Sequence, residues 1–327
     1  MRRQIRTLGA FLALAIWPAA GSAQPPATPP DWTMAVAGKV WVSSGWSNWN
    51  FKSAGVDPLS DLRWRGVDAL VGEVSADVTW KNRLVWMLSV GGTPTVDQGV
   101  LIDDEFAQSN RQGRFSTTRS PVGEGHIFYI SNDIGARLTN WRQPLFGGAP
   151  TSLADAGYLD VFVGYQYWQE EYVAFGITGN LILGPGSVVN LGEPSSTKNI
   201  WHEYHRHSVR LGARTQVPLV GGLSLKALAA ISPYTHTDHD DTHHLRTDFV
   251  NPSKSSANGG FGVQFETGLS YAVWSGLSAE VGFRYWYFDS GEGEVVTRFV
   301  GGAVSRDKLN EAITERYGPY FGVRYRF

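Results

Sequence analysis

Between residues 261 and 273 the chain alternates with period two: Phe261, Val263, Phe265, Leu269, Tyr271 and Val273 are apolar, while Gly262, Gln264, Glu266 and Ser270 lie between them. The rhythm returns at 277–287, where Leu277, Ala279, Val281, Phe283, Tyr285 and Tyr287 interleave with Ser278, Glu280, Gly282 and Arg284. It recurs at the C-terminus, with Phe321, Val323, Tyr325 and Phe327 set against Gly322, Arg324 and Arg326. Successive side chains of an extended strand point to opposite faces, so each segment has one apolar and one polar face. A soluble sandwich would show the same alternation. Three features favour a barrel closed in lipid instead: segments longer than ordinary globular strands, aromatic residues at their ends, and tight links such as 218–221 on one side only.

The pattern predicts an all-β fold: a ten-stranded antiparallel transmembrane β-barrel with long extracellular loops. The strands are expected near 34–51, 64–80, 84–100, 123–140, 157–178, 200–217, 222–238, 260–274, 276–290 and 315–327. Short links near 81–83, 218–221 and 274–276, with a longer one at 141–156, would face the periplasm. The segments 52–63, 101–122, 179–199, 239–259 and 291–314 would face outward. A terminal Phe327 on an apolar-out strand fits a bacterial outer-membrane barrel.

Composition narrows the classes. Aromatic residues make up 13% of the chain, and Trp occurs 13 times. Beyond the N-terminus no stretch of ~18 residues is continuously apolar, which excludes a helical membrane protein. The formal net charge of -2 offers no basic field for nucleic acid. Met1-Arg2-Arg3-Gln4-Ile5-Arg6, an apolar run over 8–17 and Gly21-Ser22-Ala23 read as a secretory signal over 1–23, leaving 24–327 as a single barrel domain. An exported chain without cysteine has no disulfide staple, and a closed barrel needs none because its backbone groups pair strand to strand.

Two outward segments carry chemistry. One is Asp103-Asp104-Glu105-Phe106, the other His236-Thr237-Asp238-His239-Asp240-Asp241-Thr242-His243-His244. Carboxylates and imidazoles activate water near neutral pH, and in extended chain Asp241 and His243 share a side, as do Asp103 and Glu105. A solvated polar loop and metal capture remain alternatives from these residues alone. His236, His239, His243 and His244 have no finger-like spacing.

In order and spacing these stretches resemble the omptins, outer-membrane endopeptidases of Gram-negative bacteria. Leu59-Ser60-Asp61-Leu62-Arg63-Trp64 through Trp80 resembles the family's second strand. Asp103-Asp104-Glu105-Phe106 resembles its Asp-x-Asp-Trp, Gly164-Tyr165-Gln166 its fifth-strand Gly-Tyr-Gln, and Asp241-Thr242-His243 its Asp-x-His. The resemblance implies a cleft at the outer rim, with Asp241 and His243 activating water, His243 as general base, and Asp103 with Glu105 opposite. It implies no metal and no acyl-enzyme, a peptide or protein substrate, and lipopolysaccharide as an activating partner whose contact residues it does not assign. Arg206 and Arg210 are candidates for a lipid phosphate, with Arg210 on the lumen register.

The chain departs from the family's pattern in several places. Glu105 replaces the second Asp, adding a methylene. Trp49 and His239 stand near the two acidic positions of the pocket for a basic side chain, so no preference for Arg or Lys carries over. A non-catalytic barrel of the same fold, acting as adhesin or ligand binder, is the rival expectation, and a diffusion pore the third.

Overall fold

The computed structural model describes residues 31–148, 156–184 and 187–327. The expected signal over 1–23 and part of the expected link at 141–156 lie outside the described residues.

Alternating side chains produce strands throughout. In chain order they are β1 (Trp32–Ser53), β2 (Val56–Arg65), β3 (Ala69–Trp80), β4 (Leu84–Thr93), β5 (Val100–Gln108), β6 (Gln112–Trp141), β7 (Gly157–Gly184), β8 (Ser187–Val220), β9 (Leu223–His243), β10 (Phe249–Trp274), β11 (Leu277–Asp289), β12 (Gly293–Phe299) and β13 (Val304–Arg326). Every pairing is antiparallel, and β13 pairs back onto β1, closing the sheet. β2 with β3, β4 with β5, and β11 with β12 are each one strand interrupted. The first break falls at Gly66, whose φ of 61° suits a residue without Cβ. Around the end holding the C-terminus the ring runs β1-β3-β4-β6-β7-β8-β9-β10-β11-β13. At the far end β2, β5 and β12 replace β3, β4 and β11. Either circuit has ten members, the predicted number.

The outward segments differ from the expectation of long loops. Asp238↔Ser256 through Asp241↔Ser253 are paired, as are Ile177↔Glu193 through Ile182↔Val188. Among the described residues short turns join strands there, such as 109–111 and 244–248. Beyond the lipid both faces of a strand meet water or protein, so the ladder continues while the apolar alternation that signals it disappears.

Around the end holding the C-terminus, the outer surface exposes Val36, Val74, Ile134, Val163, Leu211, Ile231, Phe265, Leu269 and Val323, a contiguous apolar band that calls for a non-aqueous neighbour. The interior is polar and crossed by ion pairs that surround a cavity of about 100 Å³. Arg284 lies 2.8 Å from both Glu73 and Glu266, Arg210 3.0 Å from Asp133, and Lys226 2.6 Å from Glu280. Above these ion pairs Tyr129 stacks on Trp168 at 5.3 Å, and Trp286 packs against both at 4.9 and 5.0 Å. A further layer centres on Glu170, which accepts hydrogen bonds from Arg316 (2.6 Å), Thr314 (2.8 Å) and Arg206 (3.3 Å). Arg206 and Arg210 are therefore committed inside the barrel, and the expectation that either meets a lipid phosphate is corrected. Charges so deep must be paired to be tolerated, and these are.

Candidate active site

The ion-paired interior ends beneath a cluster of imidazoles and carboxylates at the far end. On β9 the inward face carries His239, Asp241 and His243, two residues apart each time. Asp238, Asp240 and His236 take the outer face, where Asp240 pairs with Lys254 at 3.0 Å. The His-rich stretch is thus a strand sorted by parity, and its solvated-loop reading does not hold for the inward half: Asp241 is 2% exposed.

His243 Nε2 lies 2.9 Å from Asp241 Oδ2. His202 on β8 sits directly across the ladder from Asp241 and brings its Nε2 to 3.0 Å from Oδ1. Trp64 Nε1 donates to His202 Nδ1 at 3.2 Å, and the Tyr204 hydroxyl approaches the same nitrogen at 3.2 Å. An indole N–H only donates, so His202 Nδ1 must accept and its proton resides on Nε2, aimed at Asp241. Both carboxylate oxygens are held by imidazoles. The His243 backbone is fixed as well: its N–H donates to Asn251 Oδ1 (3.1 Å), and Asn251 Nδ2 donates to its carbonyl (3.0 Å).

The electrostatics follow. Burial opposes charge on Asp241, but His243 and His202 hold it well below the usual carboxylate range. Burial likewise opposes charge on His243, but Asp241 and, at longer reach, Asp103 outweigh it and push the imidazole up to about 8. His243 keeps 20% side-chain exposure, whereas His202 has none, so only His243 is open to solvent.

β5 supplies the opposing carboxylates. Leu101 is buried in the core, and by parity Asp103 and Glu105 share its inward face, across from Leu62 and Ser60 of β2. Asp104 points the other way, where Arg63 and Arg114 pair with it. Asp104 therefore takes no place in the site. Burial is the main cause that lifts Asp103 to about 6, with His243 opposing. Burial and then the Asp103 charge lift Glu105 to about 8. Asp103 Oδ1 is buried without a hydrogen bond inside the protein, an acceptor aimed into the site. Two buried carboxyls that raise one another resist double ionisation, so the pair favours holding a proton between them.

Beside this cluster Trp49 and His239 are buried at 2% and 1%. His239 stacks on Tyr204 at 4.3 Å, meets His202 edge-on at 4.5 Å and lies 5.4 Å from Trp49. Trp49 Nε1 donates to Ser255 Oγ at 3.3 Å. Burial depresses the His239 imidazole well below its ordinary value, so it is neutral. An aromatic, uncharged wall stands where a cation-binding pocket would need carboxylates.

All four predicted site residues, Asp103, Glu105, Asp241 and His243, therefore converge at one rim of the barrel, electrostatically coupled. His202, Trp64 and Asn251 are additions that the sequence reading missed. His202 was legible only through register, since nothing in His202-Glu203-Tyr204-His205-Arg206-His207 marks which imidazole lies opposite Asp241.

A closed ten-stranded barrel with an ion-paired lumen and a carboxylate–imidazole cluster at one rim defines the class. No family model and no curated relative matches the chain. Among solved structures, the outer membrane protease OmpT from Escherichia coli is similar over 94% of this chain and 100% of that one, with a TM-score of 0.76 and 13% identity. The translocator domain of autotransporter NalP from Neisseria meningitidis covers 90% of this chain and 88% of its own, with a TM-score of 0.33 and 12% identity. The fold of this chain is omptin-like.

Proposed function

We propose that the chain is an omptin-like outer-membrane endopeptidase whose cleft faces the cell exterior and hydrolyses peptides with water activated by His243. The carrying observation is the Asp241 carboxylate held at 2.9 Å by His243 and 3.0 Å by His202, facing Asp103 and Glu105. The likeness to an outer membrane protease in fold supports it. Asp241 fixes His243 with a proton on Nε2, which leaves Nδ1 to accept a proton from water. Asp103 would receive the second water hydrogen, orienting the oxygen towards a peptide carbonyl. Neutral Glu105 would donate to the oxyanion that forms, a role that its raised protonation suits better than an ionised Asp. Lipopolysaccharide, the outer membrane and peptide or protein substrates are the partners in this reading, and no cofactor takes part.

Refolded protein in lipopolysaccharide, given a peptide library, tests the proposal. His243→Ala should lower kcat by about 10²–10⁴-fold. Undiminished cleavage would remove the assignment. The rival reading, a non-catalytic ligand-binding barrel, rests on the aromatic wall of Trp49 and His239. It predicts no cleavage by the unmodified protein under any library composition.

A further inference from the structure

On the outer wall, across β6, β7 and β8, a second set of side chains converges. His126 of β6, Glu171 of β7 and Glu203 of β8 form one cross-strand row, with His126↔Glu171 and Glu171↔Glu203 directly opposed. One ligand atom from each lies within 4.8 Å of the others, and all three residues are half-buried. His126 Nδ1 is 3.6 Å from Glu171 Oε1.

Like charges directly opposite in a ladder are destabilising, and Glu171 and Glu203 are such a pair. Their acidic neighbours at this height are neutralised differently: Glu124 by Lys198 at 2.7 Å and Asp240 by Lys254 at 3.0 Å. Among the described residues no Lys or Arg lies within ion-pair distance of Glu171 or Glu203. Glu203 has instead the Gln169 amide at 2.6 Å and His205 Nε2 at 3.4 Å, while Tyr167 holds the other His205 nitrogen at 2.7 Å. Two facing carboxylates and an imidazole lack a cation that the protein does not supply.

We infer that His126, Glu171 and Glu203 form a binding site for a divalent metal ion of the zinc class. One nitrogen and two carboxylate oxygens suit zinc with an open coordination position, whereas calcium and magnesium favour sites built from oxygen alone and in greater number. The site lies two residues beyond exposed Phe128 on β6, at the edge of the apolar band, with its open side turned away from the barrel. It is independent of the proposed cleavage site and departs from the metal-free expectation that the omptin resemblance carried.

Zinc alone is the probe, titrated into the full refolded chain in detergent against a chromophoric chelator. One zinc per chain is expected, with His126→Ala, Glu171→Gln and Glu203→Gln each weakening binding by at least about tenfold, and His236→Ala and His243→Ala leaving it unchanged. The thermal midpoint gives a second readout. In chelator Glu171→Gln should raise it by relieving repulsion, and zinc should raise the midpoint of the unmodified protein but not that of Glu171→Gln. Zinc affinity equal in the unmodified protein and the His126→Ala, Glu171→Gln, Glu203→Gln triple variant would overturn the site. So would loss of binding that follows His236→Ala or His243→Ala, or a lower midpoint for Glu171→Gln in chelator, the signature of a simple His126–Glu171 ion pair. None of these readouts involves peptide cleavage.

Discussion

His202 and His243 flank one carboxylate but have different work to do, because one is sealed and the other is open. His202 sets Nε2 3.0 Å from Asp241 Oδ1, a polar contact that a glutamine side chain can restore in part and alanine cannot. His202→Ala should therefore lower kcat about 10- to 100-fold with KM little changed, and His202→Gln should recover part of the loss. Equal losses in both variants would make His202 a packing residue only. The raised pKa of His243 fixes the pH dependence. Its imidazolium is favoured by Asp241, so the ion pair stabilises the fold fully below the ordinary value of 6.5 and its contribution is lost as pH rises through about 8. A general base must be neutral and the donor Glu105 must keep its proton, so kcat/KM should climb as His243 loses its proton and fall again as Glu105 loses its own, a bell centred near 8. Asp241→Asn removes the charge that raises His243, and the rising limb of the residual rate should move to lower pH. A rate with no rising limb below that maximum would reject His243 as base. Of these residues, Asp241 and His243 were readable because they lie two apart on one strand. His202 was not, because its role comes from a register between strands that no spacing within one segment encodes.

Strand parity assigns each residue of the two acidic stretches to a face, and it does so beyond the lipid as firmly as within it. In 261–273 the sequence displays parity as apolar against polar, and the strand was evident. In 249–260, Phe-Val-Asn-Pro-Ser-Lys-Ser-Ser-Ala-Asn-Gly-Gly, both faces are small or polar and turn formers abound, so a loop was the natural expectation although β10 runs through it. The same parity builds the aromatic wall: β1 turns Trp49 inward and β9 turns His239 inward. A Lys or Arg side chain entering between them would lose hydration without gaining a carboxylate, a penalty of several kcal/mol. Cleavage sites read by mass spectrometry should therefore show no enrichment of Lys or Arg on either side of the broken bond. Trp49→Ala opens the wall at a cost of about 3–5 kcal/mol in stability and should admit bulkier uncharged side chains. A profile dominated by basic residues would show that another part of the cleft supplies the recognising charge.

At the level of the whole molecule, the barrel is a pedestal for the rim residues, its lumen crossed by ion pairs and aromatic rings around a cavity of about 100 Å³. Ten strands leave an interior that side chains can fill, and here they line it with opposed charges rather than hydrocarbon, consistent with the outward apolar band and an inward polar face. Arg284 shows how much rests on each member. It contacts Glu73 and Glu266 at 2.8 Å and lies 5.1 and 5.0 Å from the rings of Trp41 and Trp286, joining the ionic layer to the aromatic layer. Removing one partner of such a group leaves buried charge uncompensated, which costs about 3–5 kcal/mol, although Lys39, 3.2 Å from Glu266, offsets part of it. Arg284→Ala should accordingly lower the denaturant midpoint of the refolded barrel. The Tyr129, Trp168 and Trp286 layer and the Glu170 layer above it stay in place, so neither Arg284→Ala nor the unmodified protein should conduct steadily in planar bilayers. Conductance of the unmodified protein would mean that the ionic layer parts in the membrane, and the pedestal would then be a gate.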